Sequence, residues 1–213
     1  MHHPFIKQTA DRVVYCLSFC LIVVLAITSA DATQVSSQDW ERLHAGDVVI
    51  QSKKIDGQHR VEAAIVIVAS VDDIWKVMLD CPNAPLFVPN MRRCEVIERA
   101  DDASWEIIEH EIKYNWLAPT TIYQFKAEYI PQELIHFERI SGDLTHLVGD
   151  WKLISVQGHS DAVLVQYSVY INPGFFVPKF MTRRALRKDV PDILRALRDR
   201  VQSLQDANTD RKD

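Results

Sequence analysis

Residues 91–171 read as one strand after another, with one short helical pattern before them and one long helical pattern after them. A sheet this long with one long helix to cover it must curl around that helix to hide its apolar face. The alternation is clear strand by strand. In residues 105–116, Ile108, His110, Ile112, Tyr114 and Trp116 share a face. In residues 121–130 the shared face carries Tyr123, Phe125, Ala127 and Tyr129. Ile135 and Phe137 follow, then Gly149, Trp151 and Leu153, then Val163, Val165, Tyr167, Val169 and Ile171. Short turns such as Pro131-Gln132-Glu133 and Gly142-Asp143 imply an antiparallel meander. A sheet curled around one helix and not fully packed leaves a hollow, and a hollow lined with aromatics takes a hydrophobic ligand.

The flanks complete the pattern. Residues 39–45 predict a short helix with Trp40 and Leu43 on one side, ended by Gly46. Residues 48–55 and 60–69 read as strands joined by Asp56-Gly57. The second is nearly all apolar from Ala63 to Val68, as expected of a central strand or one covered on both faces. Ser70 and Asp72 are N-cap candidates for a helix carrying Ile74, Trp75, Met78 and Leu79 on one stripe. Pro82, Pro85 and Pro89 stiffen the connector that follows. From residue 178 the period turns helical through Phe180, Leu186, Val190, Leu194, Leu197, Val201 and Leu204, and Pro191 should kink or divide this helix. Residues 206–213 read as a polar, disordered tail.

The ends and the composition set further bounds. Residues 1–32 have the build of a secretory signal: Lys7 and Arg12, an apolar run at 13–27, then small residues around Ala30 and Ala32. The run is shorter than the roughly 20 residues that span a bilayer. Cleavage and export to the periplasm or beyond is the expectation, with an uncleaved N-terminal anchor as the alternative. The domain plan is then a signal at 1–32, a lead-in at 33–45, one α+β domain at 46–205 and the tail. A net charge of −5 argues against nucleic acid as a partner. Loss of the signal would leave Cys81 and Cys94, either as a disulfide or as two separate thiols. No metal-ligand spacing is present and no cofactor is expected.

The motifs, taken in order, resemble the START-like (SRPBCC) superfamily, in its polyketide cyclase and coenzyme Q-binding branch. They are Val71-Asp72-Asp73-Ile74-Trp75, the connector residues Asp80, Pro85, Phe87 and Pro89, the strand Gly149-Asp150-Trp151-Lys152-Leu153, and the proline before a basic terminal helix. The resemblance covers about residues 46–204. It implies a helix-grip fold, a curved antiparallel sheet wrapped around a long C-terminal helix, with no universal catalytic residue.

His110, Tyr114, Trp116, Tyr123, Phe125, Tyr129, Trp151, Tyr167 and Phe180 are the candidate ligand-binding residues, against the alternative that they fill a solid core. Phe175 and Phe176 beside Arg183 and Arg184 are candidates for membrane docking, against a solvated helix face. Glu109 and Glu111 are expected to face water, and His136, His146 and His159 to fall in or near turns. The expected function is an exported, non-enzymatic carrier of a quinone, isoprenoid or lipid. The rivals are a cyclase-type enzyme, for which no convincing acid–base pair is visible, and an envelope interaction module with a filled core.

Overall fold

The computed structural model describes residues 35–55, 58–113, 119–159, 161–172 and 185–210. The chain divides into two units, Met1–Ser36 and Ser37–Asp213, and the elements among the described residues lie in the second. They run α1 (Ser37–His44), β1 (Val49–Ile55), β2 (Gln58–Val68), α2 (Val71–Met78), a 3-10 turn (Cys81–Leu86), β3 (Met91–Arg99), β4 (Trp105–Ile112), β5 (Thr121–Ile130), β6 (Leu134–Gly142), β7 (His146–Ser155), β8 (Ala162–Asn172), a π-helical turn (Ala185–Asp189) and α3 (Val190–Thr209).

The eight strands form one antiparallel sheet in the order β1-β2-β8-β7-β6-β5-β4-β3. Strands β3 to β8 meander, and β8 then closes against β2, with Ile65 opposite Val165. This curved open sheet with its C-terminal helix is the helix-grip fold. Strand β2 is central, flanked by β1 and β8, but it is not covered on both faces: Ile65 and Ile67 are fully buried while Val68 is 62% exposed.

Each helix is fixed by local chemistry. Ser70 caps α2, its hydroxyl oxygen accepting from the Asp73 amide at 3.1 Å, and Ile74, Trp75 and Val77 turn into the core. Gly46 ends α1 with φ +85°, a conformation that costs glycine nothing. Helix α1 belongs to the domain and is not merely a lead-in: Leu43 is buried, and Arg198 of α3 donates to the Gly46 carbonyl at 2.9 Å. Pro191 divides the terminal helix as its missing N–H demands. A π-helical turn comes first, and α3 then starts with Pro191 in its first turn, where no intrahelical donor is needed. Leu194, Leu197 and Val201 of α3 enter the same core as Ile65, Ile67, Ile74 and Trp75. The helix continues to Thr209, so 206–209, expected as a disordered tail, are helical. No helix among the described residues is long and apolar enough to cross a membrane.

Candidate functional site

The core side of the sheet carries a row of aromatic rings that crosses five strands. Trp151 of β7 lies 4.2 Å from Tyr167 of β8, centroid to centroid. Tyr167 stacks on Phe137 of β6 at 6.2 Å, Phe137 meets Phe125 of β5 edge-on at 6.1 Å, and Phe125 meets His110 of β4 at 4.8 Å. Strand alternation and register put these residues on one face, and edge-to-face contacts suit the ring quadrupoles. Phe125 and Phe137 are buried, whereas Tyr123, Trp151 and Tyr167 pack against the core yet keep part of their surface accessible.

Two polar groups are built into this face. The first is His110, whose Nδ1 lies 3.2 Å from the Tyr123 hydroxyl. Burial pushes its pKa down to about 4, so near neutral pH the ring is uncharged and can accept the tyrosine proton. The second was not foreseen. Glu106 sits two residues before Ile108 on the same face and is only 6% exposed. Arg99 Nε donates to one carboxylate oxygen at 2.5 Å, and the Tyr129 hydroxyl donates to the other at 2.9 Å. Tyr129 in turn lies edge-on to Trp75 of α2 at 6.1 Å. Burial and the neighbouring carboxylate push the Tyr129 pKa up, which keeps the hydroxyl protonated as a donor. Tyr129 is thus tied to a carboxylate, while His110, Tyr123, Phe125, Trp151 and Tyr167 gather in the ring row.

Some expectations are corrected. Glu109 does not simply face water: only 17% of its side chain is exposed, and it is held by Arg93 and by Gln124 Nε2 at 2.9 Å. Those bonds hold its carboxyl below the usual range. His136 is not in a turn. It lies within β6, and its Nδ1 is 2.7 Å from Asp150 Oδ1 on β7. Of the two readings of Cys81 and Cys94, the disulfide is the one present, and it ties the 3-10 turn to β3. Lys188 of the π-helical turn reaches Asp192 of α3 at 2.9 Å. Tyr114, Trp116, Phe175, Phe176, Phe180, Arg183 and Arg184 lie outside the described residues. No cluster of metal-ligating side chains occurs among the described residues.

Two comparisons with known proteins find matches. The family model described as polyketide cyclase / dehydrase and lipid transport matches residues 67–198. No curated protein matches in sequence. Among solved structures, a STAR-related lipid transfer protein from Xanthomonas axonopodis superposes with a TM-score of 0.62 at 16% identity, over 73% of this chain and 93% of that one. Human STARD10 gives 0.63 at 10% identity, over 82% and 83%. The Zhui aromatase/cyclase from Streptomyces gives 0.57 at 12% identity, over 67% and 93%. At such identities these likenesses speak for the fold alone. With the family model spanning most of the domain, the chain belongs to the polyketide cyclase / dehydrase and lipid transport family, and its fold is the START-like helix grip.

Proposed function

We propose that this protein is a non-enzymatic carrier that holds one hydrophobic molecule, a quinone, isoprenoid or acyl-chain lipid, against the ringed face of the sheet. The observation that carries this reading is the partial exposure of Tyr123, Trp151 and Tyr167 on the side of the sheet that packs the core. A face meant only to fill a solid interior would bury such rings outright. Here the apolar area left accessible is available to a ligand, at roughly 25 cal/mol per Å² before ordering costs.

His110 supports the carrier over a cyclase. A general base works best with a pKa near the working pH. A ring whose pKa is lowered to about 4 is a weak base and suits a hydrogen-bond acceptor. Export through residues 1–32 is part of the proposal, as is contact of residues 175–184 with a membrane surface during loading. Both rest on the apolar run at 13–27 and on Phe175-Phe176 beside Arg183-Arg184.

Native mass spectrometry of the protein purified from its own cell envelope, followed by lipid extraction, tests the reading. A co-purifying hydrophobic molecule is the expected result. A bare protein with no affinity for hydrophobic probes would mean a filled interior. Ser in place of Phe175 and Phe176 should weaken liposome binding, and cell fractionation with and without residues 1–32 reads export directly.

A further inference from the structure

Strand β6 continues its core-side alternation past Ile135 and Phe137 to Arg139, which pairs with Phe125 on β5. A bulge follows at once, since Gln124 pairs with Ser141 and Ile140 is skipped. Arg139 Nη2 donates to the Gly142 carbonyl at 3.0 Å and Nη1 to the Ile140 carbonyl at 3.4 Å. Its Nε is buried and has no hydrogen-bond partner. Among the described residues no carboxylate pairs with Arg139. Glu106, the other charge found on this face, has both oxygens occupied by Arg99 and Tyr129. The bulge therefore clasps a guanidinium by its far end, against the strand's own carbonyls, and leaves Nε–H to donate. Phe125 stands opposite it, and the rings of Phe137, Tyr167 and Trp151 lead away across the sheet.

A cationic donor beside an apolar track is the complement of an amphiphile with a compact oxyanion on an apolar chain. We propose that Arg139 anchors that oxyanion, so that the cargo is an acidic acyl-chain molecule and not a neutral quinone; this rests on the carrier reading above. Nε and an adjacent Nη proton form a fork that matches the two oxygens of a carboxylate, or two oxygens of a phosphate monoester. A neutral ester offers the fork no charge and one good acceptor at best. The difference predicts a preference for the acid of about tenfold to a hundredfold.

The test is calorimetric titration of the full chain with palmitate, methyl palmitate and hexadecyl phosphate. The wild-type protein should bind palmitate at least about tenfold tighter than its methyl ester, and Arg139→Met should abolish that ratio. Arg139→Lys should restore part of it, through charge without the fork. Because the ratio is taken within each variant, a general loosening at the bulge cancels. Tighter binding of hexadecyl phosphate, equally lost in Arg139→Met, would support the same oxyanion chemistry with phosphate as its source. Equal binding of acid and ester, or a preference that survives Arg139→Met, overturns the anchor and leaves the carrier reading standing. No binding of any of the three, the ester included, overturns the anchor and, with it, the acyl-chain form of the carrier reading, leaving only a quinone or isoprenoid cargo.

Discussion

The ring of Phe137 occupies the place where a β-carbon on Gly149 would stand: such an atom would lie 2.4 Å from Phe137 Cζ. The two residues face each other across β6 and β7. Gly149 is therefore the gap through which Phe137, on one neighbouring strand, reaches Tyr167 on the other. The same β-carbon would meet the Ser168 carbonyl oxygen at 2.2 Å, so backbone as well as side chain would have to give. Gly149→Ala should cost about 2–4 kcal/mol, in the range of overpacked cores and displaced backbone. Urea unfolding measures it, and a loss within error of zero would show that Phe137 swings away freely.

Tyr129→Phe removes the only proton that reaches Glu106 Oε2 from a described hydroxyl, and it leaves a buried carboxylate oxygen without that donor. The expected loss is about 1–3 kcal/mol. Replacing both members, Tyr129→Phe with Glu106→Leu, should recover much of it, because the orphaned charge goes too. Chemical denaturation of the two single variants and the double variant closes the cycle. A double variant as unstable as the sum of the singles would mean that the pair is not coupled.

The strands, their faces and the grip around α3 were legible because a period of two and short turns are local signals, as in the alternation Val163, Val165, Tyr167, Val169. The division at Pro191 was legible for the same reason: one residue lacks one N–H. The site was only half legible. The aromatics stood out as large apolar residues in register. Glu106 and Arg139 stood in the same alternation, two positions from Ile108 and Phe137, yet a charge on an apolar face reads as a strand edge until a partner is seen across the sheet. Arg99 and Tyr129, which answer Glu106, come from β3 and β5, and no spacing within β4 reveals them. His136 follows the Pro131-Gln132-Glu133 turn by only three positions, and its place inside β6 shows in its pairing with Asp150 on β7.

Cys81 and Cys94 close a loop with a sequence separation of 13, and that loop holds the proline-rich connector between α2 and β3. A bridge around a loop of this size stabilises by about 3 kcal/mol, chiefly by restricting the unfolded chain. The double variant Cys81→Ala, Cys94→Ala, and the wild type in excess reductant, should lose stability by similar amounts. Thermal unfolding with and without reductant reads it. An unfolding temperature that ignores reductant in the wild type would show that the bridge is dispensable.

His110 makes the fold sensitive to acid in a definite window. In the unfolded chain its ring takes a proton near 6.5, whereas in the fold burial beside Phe125 and Tyr123 delays this to about 4. Between those values the unfolded state binds the extra proton. Stability is therefore full above about 6.5, falls as the pH drops towards about 4, and then levels off, a loss of at most about 3 kcal/mol from this one group. His110→Gln cannot take the proton, so it should narrow its stability gap to the wild type as the pH falls from about 7 to about 4.5. Carboxylates titrating in the same range act alike in both proteins and drop out of the difference. Ring-proton chemical shifts give the titration directly. A His110 ring that protonates near 6.5 in the folded protein would show that water reaches it freely, and the Tyr123 hydroxyl would then lose its neutral acceptor.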